Sequence, residues 1–156
     1  TKEDIKEKLT TFTGLKYRKE LVAIKNGLYF ISDVLASAPH ASVEAIIDTA
    51  KTYPKAKVFL LFGGANKKVD HSDVIKEFNQ IKTPYTIVTL PETGHEIEEQ
   101  LKNHQHCDEL ADGIEWVYKN ANEGDIVLLA PGAQSFHRWK NYEKLHEHFI
   151  ELIEKL

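Results

Sequence analysis

The sequence predicts a single α/β domain: a Rossmann-like, open and mostly parallel sheet with helices on both faces and an N-terminal β-hairpin. Two observations support this fold class. Residues 58–62 and 126–130 are continuous apolar runs, as expected of strands that are buried on both faces of a parallel sheet. Between them lie segments whose apolar residues recur every three or four positions, which is the spacing of a helix. At 156 residues the chain is long enough for one hydrophobic core.

The first predicted elements are the two strands of the hairpin. Residues 21–24 and 28–31 are apolar runs typical of strands, and only Lys25, Asn26 and Gly27 separate them. Asn-Gly is a strong signal for a tight turn, because both residues tolerate a positive φ. The two runs are therefore expected to pair antiparallel.

Helices and strands alternate through the rest of the chain. Pro39 suits the first turn of a helix, whereas Pro91 and Pro131 are expected to stop the strands that precede them. The predicted order is helix 39–50, strand 58–62, helix 74–81, strand 85–90, a short helix near 97–101, helix 110–121, strand 126–130 and a long closing helix 139–156.

Composition limits the classes of partner and the cellular location that are expected for the chain. A net charge of −4 provides no basic surface for nucleic acid or for an anionic membrane, and no apolar run approaches the roughly 20 residues of a membrane helix. The single cysteine, Cys107, excludes an internal disulfide framework and is typical of cytoplasmic proteins. Because the chain contains no methionine, we expect a piece of a longer protein, with residues 1–12 as an interdomain linker remnant and 13–156 as the domain.

Four segments are candidates for ligand binding, because ligands of open α/β sheets bind at the carboxyl ends of the strands. Lys67, with the backbone N–H groups of Gly63 and Gly64, could bind an oxyanion, although this loop by itself favours a tight turn with a solvated lysine. Ser135 could donate to a carboxylate or cap the last helix; it lies in no Gly-x-Ser-x-Gly hydrolase motif. We therefore predict a site for a small anion. The four segments are residues 14–18, 32–39, 63–68 and 130–136.

The histidines do not indicate a metal centre by their spacing. His95, His104, His106 and Cys107 match no structural zinc pattern, and their polar surroundings favour a solvated surface helix or loop. His146 and His148 are two positions apart on a predicted helix and face different ways. No metal ligand is predicted from these residues.

Four segments in the same order resemble one known family and together span nearly the whole chain. Residues 12–20, Phe-Thr-Gly-Leu-Lys-Tyr-Arg-Lys-Glu, resemble the Phe-x-Gly-Leu-x-His-Arg-x-Glu segment that opens the C-terminal domain of the Mur ligases. The glutamate-adding branch is the most similar. The other matching segments are residues 26–39 (Asn-Gly, then Asp-x-x-Ala-Ser-x-Pro), 60–67 (Leu-Leu-Phe-Gly-Gly-x-x-Lys) and 129–143 (Leu-x-Pro-x-x-x-Ser-Phe, then Trp-Lys-Asn-Tyr-Glu).

The resemblance implies an ATP-dependent ligase that adds glutamate to UDP-N-acetylmuramoylalanine in peptidoglycan precursor synthesis. In this family the upstream domains bind the UDP-sugar, the ATP phosphates and Mg²⁺, and the C-terminal domain binds the amino acid and closes over ATP. The chain lacks the Gly-x-x-x-x-Gly-Lys-[Ser/Thr] phosphate loop, so no catalytic residue is expected in it and it is expected to be inactive alone. By motif position, Arg18 and Asp33 would contact ATP, and Ser37, Lys67, Ser135, Phe136 and Trp139 would contact the amino acid.

The chain departs from the family pattern at the second segment in particular. Leu35 occupies the position of a lysine, while Val34 and Ala38 replace a serine and an asparagine; Tyr17 and His137 replace a histidine and an aspartate. The loss of a cation leaves open D-glutamate, L-glutamate or another acidic amino acid as substrate. A divergent relative that binds a small anion or a partner without catalysis is the alternative. A folate-polyglutamylating ligase is disfavoured by the Ser-Phe and Lys-Asn-Tyr-Glu pairing.

Overall fold

The computed structural model describes residues 1–5, 14–65, 68–135 and 138–156, and it confirms the α/β class. A six-stranded sheet has the order β1-β2-β6-β3-β4-β5. The hairpin strands β1 and β2 are antiparallel, and every other neighbouring pair is parallel. The strands are β1 (Glu20–Lys25), β2 (Leu28–Ser32), β3 (Val58–Gly64), β4 (Tyr85–Glu92), β5 (His104–His106) and β6 (Ile126–Leu129).

Helices cover both faces of the sheet, as the unalternated strands predicted. Successive β3 side chains enter different cores: Leu60 packs with the first two helices, and Leu61 packs with the last two. No helix among the described residues is long and apolar enough to span a bilayer. The helices that pack on the sheet are α1 (Pro39–Thr52), α2 (Ser72–Gln80), α3 (Thr93–Ile97), α4 (Leu110–Asn120) and α5 (Tyr142–Glu154), with a 3₁₀ turn at Glu98–Gln100.

The predicted hairpin and the helix start at Pro39 are confirmed. Asn26 and Gly27 have φ values of 49° and 76°, the positive values that the turn requires. Pro39 stands in the first turn of α1, where its missing N–H would have had no helical partner.

Three predictions about elements are wrong. Pro91 does not stop β4, because the β3–β4 register already shifts between Phe62 and Gly64, so its missing N–H falls where the ladder is irregular. The closing helix begins at Tyr142 and not at 139, because the Asn141 side chain accepts from the Lys144 N–H and caps it. Residues 104–106 form an edge strand, followed by a buried Cys107, rather than a solvated helix or loop.

Strand β6 lies between β2 and β3, although it follows both in the chain. It pairs with β2 from Ile126 to Leu129 and with β3 over the same residues. Because all three strands run in one direction, the segments that follow them emerge side by side at one edge of the sheet. Three of the four candidate segments are therefore neighbours in space.

The close approach of these segments depends on a glycine at position 132. Gly132 has a φ of 66°, and a Cβ built there would lie 2.3 Å from Phe62 Cε2 and 2.7 Å from Ser42 Oγ. Phe62 and Ser42 are both fully buried, so neither can move away easily. The turn after β6 can therefore lie against β3 and α1 only without a side chain.

Replacement of Gly132 by alanine should destabilise the domain through this overlap. Gly124→Ala is the matched control, since Gly124 also has a positive φ (93°) but has open space where its Cβ would lie. Backbone strain at a positive φ should lower the free energy of unfolding of both variants. Overlap of the new Cβ with buried atoms should lower that of Gly132→Ala by about 1–3 kcal/mol more. Urea unfolding of both variants measures this difference. Equal losses of unfolding free energy would contradict the close packing described for Gly132.

Candidate ligand site at the carboxyl ends of the strands

Backbone hydrogen bonds tie the segments after β2, β6 and β3 together. The Gly132 N–H donates to the Ala36 carbonyl at 2.8 Å, which joins the second segment to the fourth. The Ala65 N–H donates to the Gln134 carbonyl at 3.0 Å, which joins the third segment to the fourth. The site is thus built on fixed backbone, as preorganised binding requires.

A cavity of about 180 Å³ opens between the second and fourth segments. Ser37 and Ser135, which belong to different loops, both contribute to its wall, so the structure brings together two of the predicted amino-acid contacts. None of the described residues that line it carries a formal charge. The lining residues are Val34, Leu35, Ser37, Ala133, Gln134, Ser135 and Tyr142.

Two residues of this cavity change the sequence-based interpretation. Leu35 lines the wall, so the departure from the lysine of the family pattern lies inside the cavity and not beside it. Tyr142 also lines it; the sequence places Tyr142 in the fourth matching segment and in the predicted closing helix, but no ligand contact was predicted for it. Its place in the first turn of α5, seven residues after Ser135, was the signal that could have identified it.

A second cavity of about 190 Å³ shares Ser37 and Ala133 with the first one and continues toward β3. His71 and Thr93 lie at its wall. The His71 side chain is buried, and its Nε2 makes no hydrogen bond within the described residues; Glu96 Oε2 lies 3.9 Å away. Sequence reasoning missed His71, because a single histidine before a helix has no distinguishing pattern. The structure makes it a polar group at the edge of the site.

Arg18 and Asp33, the two predicted ATP contacts, lie against each other. Arg18 Nη1 is 3.3 Å from Asp33 Oδ1, and the arginine side chain is 43% exposed while the aspartate is 1% exposed. Burial raises the pKa of Asp33, and the nearby charges of Arg18 and Lys19 offset this only in part. A buried aspartate is therefore paired with a partly exposed guanidinium.

An aromatic contact fixes the first segment against α5. The Tyr17 ring packs edge-on against Tyr142, at 5.5 Å between centroids, and against His146, at 4.8 Å. His146 is buried, and its Nδ1 lies 2.8 Å from Ser32 Oγ at the end of β2. Burial lowers the pKa of His146, which favours the neutral ring. Tyr17, in place of the histidine of the family pattern, thus has a packing role beside the cavity.

The remaining groups predicted for the site make other interactions or lie outside the described residues. The Gly63 N–H, one of the two backbone groups predicted to bind an oxyanion, donates to the Pro131 carbonyl at 3.0 Å and is therefore not free for that role. The alternative that Ser135 caps the last helix is wrong, because Asn141 is the cap. Trp139 packs against the core and its Nε1–H donates to His148 at 3.0 Å, so it does not line the first cavity. Lys67, Phe136 and His137 lie outside the described residues.

Comparison with known proteins identifies relatives of the chain. The family model described as "Mur ligase, glutamate ligase domain" matches residues 17–133. UDP-N-acetylmuramoylalanine–D-glutamate ligase from Acetivibrio thermocellus is 30% identical over 97% of this chain, and that from Ligilactobacillus salivarius is 32% identical over 99%. These matches cover 34% and 33% of the relatives, so the chain spans about a third of their length.

Solved structures show the same fold at lower identity. A domain of a Mur-type ligase from Haemophilus ducreyi (the putative UDP-N-acetylmuramate:L-alanyl-gamma-D-glutamyl-medo-diaminopimelate ligase) has a TM-score of 0.59 at 14% identity, covering 86% of this chain and 98% of that one. The bifunctional folylpolyglutamate synthase/dihydrofolate synthase from Yersinia pestis has a TM-score of 0.65 at 15% identity, covering 97% and 34%. A structure of a bifunctional folylpolyglutamate synthase/dihydrofolate synthase with Mn, AMPPNP and L-glutamate bound has a TM-score of 0.61 at 14% identity, covering 89% of this chain and 32% of that one.

The buried Asp33 should make the stability of the domain depend on pH in a defined direction. Its folded-state pKa is raised, so its contribution to stability is present below the unfolded pKa and is lost as pH rises through the folded pKa. Asp33→Asn should therefore raise the free energy of unfolding more at about pH 7 than at about pH 4. Chemical denaturation of both proteins at the two pH values measures this.

Asp73→Asn is the control, because the Asp73 side chain is 81% exposed. It should change the unfolding free energy little at either pH. A gain for Asp33→Asn that is equal at both pH values would contradict the account of Asp33.

Proposed function

This chain belongs to the Mur ligase family, and we propose that it is the C-terminal domain of an ATP-dependent ligase that adds glutamate to UDP-N-acetylmuramoylalanine. Residues 13–156 would form the domain and residues 1–12 the end of a linker to upstream domains. The observation that carries the proposal is the identity of about 30% to ligases of that name across nearly the whole chain. The convergence of Ser37 and Ser135 on one cavity supports it independently.

The cavity suits the carboxylate end of an amino acid. Two serine hydroxyls from different loops can donate to carboxylate oxygens, and the uncharged wall keeps these hydrogen bonds away from competing ions. Lys67, two residues beyond Ala65 at the end of β3, would supply the balancing positive charge. Phe136 would complete the contacts from the fourth segment. A dicarboxylate such as glutamate matches this set of one cation and several neutral donors.

The first segment would face ATP. The exposed Arg18 guanidinium, positioned by Asp33, can contact phosphate oxygens that are presented from outside this domain. Asp33 would form the adenosine side of that contact. Mg²⁺, which would neutralise the phosphates, would be bound mainly by the upstream central domain. The Mn, AMPPNP and L-glutamate in the structure with 14% identity accord with this set of ligands.

The reaction would require this domain to close on the upstream one. The sequence contains no phosphate loop, so ATP must be bound elsewhere, and activation of the substrate carboxylate must occur there. The role of this chain would be to hold glutamate by its carboxylates, so that the amine is directed at the activated carbon. Closure would exclude water from that carbon and bring Arg18 to the phosphates.

The proposal is tested on the protein that contains this chain. It should join glutamate to UDP-N-acetylmuramoylalanine only with ATP, with one phosphate released for each amide bond, and separate assays with D- and L-glutamate identify the isomer. The chain alone should give no product. A coding sequence without a phosphate loop upstream of Thr1, or no turnover with any acidic amino acid, would favour the non-catalytic anion-binding module instead.

Removal of the Lys67 charge should weaken amino-acid binding specifically. In the full-length enzyme, Lys67→Ala should raise KM for glutamate by about one to two powers of ten, equivalent to about 1.4–3 kcal/mol, because one charged contact to a carboxylate is lost. KM for ATP should stay nearly constant. Steady-state kinetics with each substrate varied in turn measures both values.

Lys82→Ala provides the matched control. Lys82 is an exposed lysine in the turn before β4, so its loss changes the net charge equally. An unchanged KM for glutamate in Lys67→Ala, or an equal rise in Lys82→Ala, would show that Lys67 is a solvated lysine of a tight turn.

A further inference from the structure

We propose that His95, His106 and Asp108 form a binding site for a transition-metal ion at the outer edge of the sheet. One ligand atom from each of the three side chains lies within 4.8 Å of the other two. The two imidazole rings are stacked, with 4.1 Å between centroids. None of the three belongs to the four segments of the glutamate site, so this inference is independent of the proposed function.

Hydrogen bonds determine which ring nitrogen of each histidine carries the proton, and they leave the lone pair of the other nitrogen for a metal. His106 Nδ1 lies 2.9 Å from Glu98 Oε1, and His95 Nε2 lies 3.0 Å from the Cys107 carbonyl. Since these acceptors hold a proton on those nitrogens, the lone pairs remain on His106 Nε2 and His95 Nδ1. His106 Nε2 lies 3.3 Å from Asp108 Oδ1, so a second ligand atom is already beside the first.

Glu98 is positioned as an outer support for this site. The Thr89 hydroxyl donates to Glu98 Oε2 at 2.6 Å, and the Glu98 side chain is 16% exposed. A carboxylate that receives the other N–H of a ligating histidine is a recurrent feature of metal sites, where it fixes the ring and raises its basicity. Glu98, hydrogen-bonded to Thr89 on one side and to His106 on the other, has this arrangement.

The backbone places the three ligands on different elements that a metal would join. His95 lies on α3, His106 ends β5, and Asp108 follows in the turn before α4. Strand β5 has three residues, and within the described part of the chain β4 is the only strand beside it, so few backbone hydrogen bonds hold it in the sheet. A bound ion would therefore anchor this edge strand to α3.

The donor set indicates the class of metal. Two imidazole nitrogens and one carboxylate oxygen suit Zn²⁺, Cu²⁺ or Ni²⁺, whereas Mg²⁺ and Ca²⁺ prefer oxygen ligands alone. Zinc bonds of about 2.0–2.1 Å require the ligand atoms to approach one another more closely than they do here. His106 and Asp108 are 49% and 80% exposed, so small side-chain rotations allow this closure. The fourth position would hold water.

The alternative explanation of this cluster is a protonated His106 without a metal ion. A protonated His106 could bridge Glu98 and Asp108 by itself, with both ring nitrogens as donors. That account predicts no specific Zn²⁺ binding, so the two explanations differ in a direct measurement.

Calorimetric titration of the protein with Zn²⁺ at about pH 8 tests the site, with Mg²⁺ as the comparison ion. We expect one Zn²⁺ per chain and no binding of Mg²⁺ at this site. His106→Ala should weaken Zn²⁺ binding at least about 100-fold, and Glu98→Gln about 10–100-fold, because it removes only the outer support. His104→Ala is the matched control on the same strand; the His104 ring contacts the Leu101 carbonyl, and the variant should bind Zn²⁺ as the parent does.

Thermal unfolding separates a lost site from a lost fold. Without metal, the His106→Ala and His104→Ala variants should unfold at nearly the parental temperature, since both side chains are exposed. Zn²⁺ at about 100 times its Kd should raise the Tm of the parent and of His104→Ala by about 5–10 °C and leave that of His106→Ala unchanged. Absence of one-to-one binding, or an equal loss in His104→Ala and His106→Ala, would overturn the proposal.

Discussion

The shared pairing of β6 with β2 and β3 is the constraint on which the candidate site depends. These strands are hydrogen-bonded side by side and run in one direction, so the segments that follow them meet at one edge of the sheet. Gly132 then allows the turn after β6 to lie against Phe62 and Ser42, and its N–H ties that turn to Ala36. Ser37 and Ser135 face one cavity because of this arrangement, although 97 residues separate them in the chain.

The sequence predicted those features whose causes are local. Asn26-Gly27 specified the hairpin, Pro39 the start of α1, and the unalternated apolar runs the buried parallel strands. Features set by tertiary contacts were missed: β5 is too short for a pattern, and Pro91 is tolerated because the ladder beside it is irregular. In the site, Ser37 and Ser135 were found from motif position. Tyr142 and His71 were not, because only the packing of α5 and α2 brings them to the cavities.

The charges of the site are distributed unevenly. The described wall of the first cavity has no charged residue, and Leu35 occupies part of it, so under the proposed function the positive charge beside a bound carboxylate would have to come from Lys67. Arg18 and Asp33 lie together at the exposed side, where burial of the aspartate raises its pKa and reduces its contribution to stability at neutral pH. A loss of stability from a buried charged group is common at functional sites, where groups are placed for binding and not for stability. Under the proposed function, the uncharged cavity would hold the amino acid, and the Arg18–Asp33 pair would face the nucleotide.

The central claim is that the cavity between the second and fourth segments holds the carboxylates of glutamate. The most direct measurement is a crystal structure of the full-length protein with glutamate and a non-hydrolysable ATP analogue. We expect glutamate oxygens within hydrogen-bonding distance, about 2.5–3.2 Å, of Ser37 Oγ and Ser135 Oγ, with the Lys67 ammonium beside them. Glutamate bound away from both serines, with this cavity filled only by water, would contradict it.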